Sequence, residues 1–321
     1  MTMKITELYD KGQKCLEEMK IDFMLKGVET EFVLENNKNV LKQYLFNQRA
    51  INTIGNVSTA AKILDVELKV PIIMSSMNAP IPSIRENGLV KVARALQETG
   101  AMMWTGSPVP RNMKELAATG VPLCQTVKPI SDRKKLEDTL KEAVDAGFNW
   151  VGIEVDAGQC TKIIDKMMTK DCRPMSVEEI RGMKERLGVP FVLKGILSAW
   201  DAQKALDCGA DLIVVSNHGA HTIDCLPHPF QVMEEINRVI DGRIPVIVDS
   251  GFRRGTDVLK GLAMGADAVG LGRPILWALA ADGEEGVRSL ITEMQAELIR
   301  AMTMTGVKSP SDAHPGILLK T

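Results

Sequence analysis

The chain has 321 residues, 45% of them hydrophobic and 25% charged, with a formal net charge of -2 at pH 7. That length suits one α/β barrel or two smaller domains, and a charge so near zero offers no basic field, which excludes nucleic acid as the expected partner. No run approaches the roughly 18–20 uninterrupted apolar residues of a membrane span, and the first twenty residues lack an apolar signal core, so a cytoplasmic protein with no membrane partner is expected. Six cysteines without CxxC or ligand spacing read as reduced thiols and argue against a metal site.

Residues 1–65 show helical spacing, through Leu8, Cys15 and Met19 and then Val40, Leu41, Tyr44 and Leu45. They are expected to form a helical extension packed on a second unit, 66–321. There, apolar runs recur as VPIIMSS (70–76), AMMWTGS (101–107), PLCQTVK (122–128), WVGIEVDA (150–157), PFVLKGI (190–196), LIVVSNHG (212–219), IPVIVDSG (244–251) and AVGLGR (268–273). Helical patterns separate them at 86–99, 109–118, 132–146, 176–187, 199–208, 228–240 and 255–264, with a last one at 284–305. Eight strand–helix units predict an α/β fold of the (β/α)8 TIM-barrel class. A doubly wound sheet would alternate similarly, but its G-x-G-x-x-G after the first strand is absent. In a barrel the strand ends Ser75, Ser107, Gln125, Glu154, Asp156, Lys194, His218, Gly251 and Gly272 gather at one face.

Four apolar residues, Leu212 to Val215, lead into Ser216, Asn217, His218 and Gly219. A polar cluster at the mouth of a buried strand is where a barrel keeps its chemistry, so His218 is the candidate base; a histidine that merely ties the strand end to the next loop is the alternative. DSGFRRGTD (249–257) and GLGRP (270–274) set glycines beside arginines at adjacent strand ends, with a helix expected to start near Thr256. Backbone N–H groups, a helix dipole and guanidinium charge together make a phosphate pocket, although turn glycines and solvated arginines would look the same. Lys194 is a charge in an apolar run, FVLKGIL, where it is costly without a partner. It could meet an anionic substrate, form a Schiff base, stabilise a reduced cofactor, or pair with Glu154 or Asp156. Asp156, with Glu154 two residues earlier on the same side, could orient His218 and raise its basicity, or serve in a salt bridge. Gln125 offers an amide to a heterocycle edge, and Ser107 suits a ligand or a loop equally.

SNHGAHTID (216–224), VIVDSGFRRGTDVLKGLAMGADAVGLGRPILW (246–277), FVLKGILSAWDA (191–202) and GIEVDAG (152–158) together resemble the FMN-dependent α-hydroxy acid oxidising family, which includes glycolate oxidase, lactate oxidase and flavocytochrome-type lactate dehydrogenase. The resemblance runs from about residue 20 to the C-terminus. It implies a barrel with FMN at its C-terminal face, a homo-oligomer, often tetrameric, and oxidation of a C–H beside a hydroxyl or amine with hydride passing to flavin N5. It also implies His218 as base, Asp156 as its partner, and Lys194 against flavin N1 and O2. Gln125 and Glu154 would meet the pyrimidine edge, Glu154 standing where the family has a threonine. Ser75 and Ser107 would line the ring, with Ser216 and Asp249 also at the cofactor, and Gly251, Arg253, Arg254, Gly272 and Arg273 would hold the phosphate.

The chain departs from that pattern around the substrate. The family's SNHGGRQLD becomes SNHGAHTID, so His221 replaces an arginine that clamps a carboxylate; QLY becomes Gln125, Thr126, Val127; and Phe23 and Met24 replace a tyrosine pair. His221, Val127 and Met24 are therefore expected in the pocket. Losing one partner of a buried charge pair costs about 2–5 kcal/mol, so a substrate larger or less anionic than lactate or glycolate is expected. A protonated His221, or Lys128, would compensate in part. A non-redox FMN barrel, such as type 2 isopentenyl diphosphate isomerase, and a non-catalytic flavin-binding protein are the alternatives.

Overall fold

The computed structural model describes residues 4–160 and 171–321, the side chains of Phe23 and Met24 excepted. Its N-terminal part carries helices α1 (Ile5–Glu18) and α2 (Phe32–Lys42), a short strand β1 (Tyr44–Phe46), and an antiparallel hairpin of β2 (Ala61–Ile63) and β3 (Val66–Leu68). There follow β4 (Ile72–Met74), α3 (Ile81–Ile84), α4 (Gly88–Thr99), β5 (Met103–Thr105), α5 (Met113–Ala117), β6 (Leu123–Val127), α6 (Arg133–Asp145) and β7 (Trp150–Glu154). The second half contributes α7 (Val177–Leu187), β8 (Phe191–Ile196), α8 (Ala199–Asp207), β9 (Leu212–Val215), α9 (Met233–Ile240), β10 (Val246–Val248), α10 (Gly255–Ala263), β11 (Ala268–Leu271), α11 (Arg273–Thr305) and β12 (Leu318–Lys320).

Eight parallel strands lie in the order β4-β11-β10-β9-β8-β7-β6-β5, and a parallel bridge between Ile73 and Met102 joins the two ends. This is the expected (β/α)8 barrel, each of the eight apolar runs supplying one strand. Every barrel strand is buried along its whole length, because its inner side chains fill the barrel while its outer ones lie under the helices. The β2–β3 hairpin spans the expected boundary between residues 65 and 66. Its Ile63, Val66 and Leu68 pack with Trp104, Trp150, Leu212 and Ile247 in the barrel interior, and Trp150 Nε1 donates to Asp65 at 2.8 Å. With this end plugged, the opposite, C-terminal end is left for chemistry.

Two sequence expectations change. Tyr44 and Leu45 do not extend the helical stripe of Val40 and Leu41; they lie in β1, which pairs antiparallel with β12, Tyr44 opposite Lys320. A buried–exposed alternation over three residues is too short to distinguish from a helical turn in the sequence. The last helix starts at Arg273, directly after β11, rather than near 284, and its backbone is non-helical at Asp282 and Gly283. Among the described residues no helix is long and apolar enough to cross a membrane.

Helix α1 crosses α11 at Gly12, where a Cβ would lie 2.1 Å from the Trp277 carbonyl oxygen. The Tyr9 and Trp277 rings pack edge to face at 4.9 Å beside this crossing. Backbone cannot yield as a side chain does, so Gly12→Ala is expected to cost about 1–3 kcal/mol of stability, the range for overpacking, read as a lower urea midpoint. An unchanged midpoint would show that α1 contributes little to the fold.

Candidate active site

The C-terminal strand ends surround a cavity of about 1020 Å³ including its open mouth, lined among others by Ser75, Ser107, Glu154, Lys194, His218 and Asp249. After β9 the backbone turns sharply, with His218, Gly219 and Ala220 at φ 55°, 62° and 72°. Two of these are not glycine, so the turn is strained unless its surroundings fix it. They do. Asn217 and Asn37 of α2 exchange side-chain hydrogen bonds at 2.6 and 3.0 Å, the His218 N–H donates to Ser216 Oγ at 3.0 Å, and the Val28 N–H donates to the Ala220 carbonyl at 2.9 Å.

The turn brings His218 Nδ1 within 2.9 and 3.0 Å of the two Asp156 carboxylate oxygens. Asp156 reaches it from a 3-10 turn after β7, and Gly195 in β8 makes the room: at φ 98°, a Cβ there would lie 2.2 Å from Asp156 Cγ. The other ring nitrogen, Nε2, faces Glu154 Oε2 at 3.6 Å. Burial pushes the Asp156 and Glu154 carboxyls up, but His218, Lys194 and Lys128 together outweigh it and hold both below the usual carboxylate range. Burial likewise disfavours the Lys194 charge, yet Asp249, Asp156 and Glu154 more than restore it, and Nζ donates to Ser216 Oγ at 3.4 Å.

At the other end of the cavity lie Gly251, Arg253, Gly272 and Arg273. Gly251 has φ 95° and no room for a Cβ, which would lie 2.5 Å from the Asn37 carbonyl oxygen. Arg253 stacks on the Trp277 ring at 4.9 Å. Arg273 donates to the Gly219 carbonyl at 2.6 Å, while its Nε is buried with no partner among the described residues. Burial, and then the neighbouring Arg253, lower its pKa to about 10. Arg254 is different: its guanidinium is bound to Glu297 of α11 and does not line the cavity, because successive residues at the start of α10 point to different sides.

On β6 the cavity side falls one residue away from the expectation. Thr126 Oγ1 meets Glu154 Oε1 at 3.0 Å and Lys128 lines the cavity, whereas Val127 belongs to the layer between strands and helices. Gln125 is consumed locally, its Oε1 accepting from Thr105 at 2.7 Å and its Nε2 donating to the Gly106 and Thr126 carbonyls at 3.2 and 2.6 Å. Side chains alternate along a strand, so Gln125 and Val127 share the face opposite Thr126 and Lys128. His221 does line the cavity, but burial and Arg273 hold its pKa well below the ordinary value, so it stays neutral and cannot stand in for an arginine. The Met24 side chain lies outside the described residues. Ser76 was not anticipated; it donates to Glu154 Oε1 at 2.5 Å and also touches Thr126.

Behind the cavity, His228 Nε2 donates to the carbonyl of Ser250, a cavity-lining residue at φ 81°, and its Nδ1 accepts from the Phe230 N–H. Burial holds its pKa at about 4, below the ordinary 6.5. The unfolded chain therefore binds more protons between these values, and stability contributed by neutral His228 is complete above about pH 6.5 and lost as pH falls to about 4. At about 1.4 kcal/mol per unit the loss comes to about 3 kcal/mol. Unfolding midpoints measured from pH 7 to 4 should fall in this window and flatten in His228→Gln; parallel curves would refute the assignment.

The family model for FMN-dependent dehydrogenases matches residues 12–162 and 158–320. The chain belongs to this family. It is 30% identical to glycolate oxidase 3 of Arabidopsis thaliana over 96% of the chain and 94% of that protein, and 29% identical to the 2-hydroxyacid oxidase of Dictyostelium discoideum over 98% and 90%. A mandelate oxidase variant crystallised with 2-hydroxy-phenylacetamide superposes with a TM-score of 0.91 at 29% identity, covering 100% of this chain and 99% of that one.

As a member of the FMN-dependent dehydrogenases the chain is an oxidoreductase of the 2-hydroxy acid oxidase and dehydrogenase type, with FMN as cofactor; the isomerase alternative is not favoured. The site fits that cofactor on its own terms. Two partly buried arginines, Arg253 and Arg273, converge on one end of the cavity, and Ser75 Oγ and Arg273 Nε are buried without partners among the described residues. Gly270 has no room for a side chain, since a Cβ would lie 2.7 Å from Ser75 Oγ and 2.8 Å from Asp249 Cβ.

Proposed function

We propose that this FMN enzyme oxidises a C–H bond beside a hydroxyl or amine, with His218 as the base that takes the substrate proton. The observation that carries the reading is the pairing of His218 Nδ1 with Asp156, which leaves Nε2 on the cavity side. A carboxylate on Nδ1 fixes the tautomer and strengthens the base at the other nitrogen. Arg253 and Arg273, with the Gly251 and Gly272 backbone, would hold the FMN phosphate. Ser75 and Ser107 would line the ring. Bound there, FMN supplies the hydride acceptor, and the charged ammonium of Lys194 would face negative charge on the reduced ring.

The substrate we propose is larger or less anionic than lactate or glycolate. Neutral His221 offers no fork for a carboxylate at the place where the family has an arginine. Mixing the yellow protein under argon with a panel of hydroxy acids and amino acids tests both parts. Bleaching by bulky hydroxy acids in preference to lactate supports the reading. Turnover without net bleaching would instead indicate isomerisation, and bound FMN that no substrate reduces would indicate a non-catalytic role.

A further inference from the structure

We infer that Glu154 is a positioning residue for the base: its carboxylate lies across the imidazole from Asp156 and secures the protonated form of His218, so that the ring is held by an anion at each nitrogen. The inference rests on the reading of His218 as base and goes beyond it, because Asp156 alone would suffice to orient the ring.

The two oxygens of Glu154 are used differently. Oε1 accepts from Ser76 at 2.5 Å and Thr126 at 3.0 Å, which fixes the carboxylate plane. Oε2 is the oxygen facing His218 Nε2, at 3.6 Å. That separation is an ion-pair distance rather than a hydrogen bond. The Glu154 side chain is 2% exposed and lines the same cavity as His218. A carboxylate so deeply buried is expensive to keep ionised and needs nearby positive charge.

The surroundings supply it. Lys194 from β8 and Lys128 after β6 both lower the Glu154 pKa, as does His218 itself. Among the described residues, the other charged and titratable groups around the imidazole are Asp156 after β7, His221 in the same turn, Arg273 at the start of α11 and, acting on Lys194, Asp249 after β10. When Nε2 takes the substrate proton, one bond to hydrogen breaks in the substrate and one N–H bond forms. The new positive charge then sits between two anions, and no electron passes to Glu154. Glu154 thus makes His218 a stronger base without touching the proton itself.

The test uses the FMN-loaded full chain. There are four histidines, His218, His221, His228 and His314, so 13C-labelled imidazole signals can be assigned by single replacements. In Glu154→Gln, which keeps the shape and loses the charge, the His218 titration midpoint should fall by about one pH unit or more, the effect of a neighbouring charge. The acid limb of kcat/KM should move down with it, while His314 does not move. Glu154→Asp, which keeps the charge, should retain a midpoint nearer the wild-type value. An unmoved His218 midpoint in Glu154→Gln, or equal falls in both variants, would overturn the inference and leave Glu154 a structural partner of Ser76 and Thr126. Failure of the base reading shows separately, as flavin reduction that survives removal of His218.

Discussion

His218→Ala should slow substrate-driven bleaching of the flavin by about 10²–10⁴-fold, the span of general base catalysis, while the protein stays yellow. The two halves of this result come from the separation of functions in the cavity. The imidazole is held by Asp156 and the turn after β9, whereas the charged groups expected to grip the cofactor, Lys194, Arg253 and Arg273, come from β8, the segment after β10 and the start of α11. Removing the ring takes away the proton acceptor and leaves that cradle intact. Asp156→Asn should lie between His218→Ala and the wild type, because the amide can keep contact with Nδ1 but removes the negative charge. Stopped-flow absorbance under argon gives the rate, and the spectrum of the resting protein gives the FMN content. Bleaching at the wild-type rate would remove His218 from the chemistry; loss of the yellow colour would make the imidazole a structural support for the cofactor.

Most of the barrel is legible in the sequence because each strand is a short apolar run followed by a polar cap, and LIVVSNHG is the clearest of these. His218, Asp156, Lys194 and Arg273 could be singled out as polar or charged residues at strand ends, where burial demands a reason. What failed was orientation within a strand. All five residues of β6, LCQTV, are buried, so no apolar–polar alternation marks which face looks into the barrel, and Thr126 and Lys128 are displaced by one from the residues expected there. Arg253 and Arg254 pose the same problem as adjacent identical residues; only Glu297, more than forty positions away in sequence, separates their roles. Gly195 carried a usable signal. A glycine directly after a buried lysine marks a place where another group needs the space, and that group is Asp156.

Arg273→Met should weaken FMN binding by about 2–5 kcal/mol, or roughly 30- to 5000-fold, the cost of removing one partner of a buried charge pair. The FMN-free protein should change little in stability, because two effects of similar size oppose each other. Burial and Arg253 depress the Arg273 pKa from its usual value to about 10, so holding this charge in the fold costs about 3 kcal/mol at neutral pH. Methionine relieves that cost but forfeits the bond to the Gly219 carbonyl, where a charged donor contributes about 1.5–3 kcal/mol. Arg254→Met should show the reverse. Its guanidinium pairs with Glu297, so the loss should fall on stability and leave FMN affinity close to wild type. Fluorescence titration with FMN and urea unfolding of both variants separate the two roles. Unimpaired FMN binding by Arg273→Met together with weak binding by Arg254→Met would move the phosphate away from the start of α11, since only one of these two guanidinium groups lines the cavity.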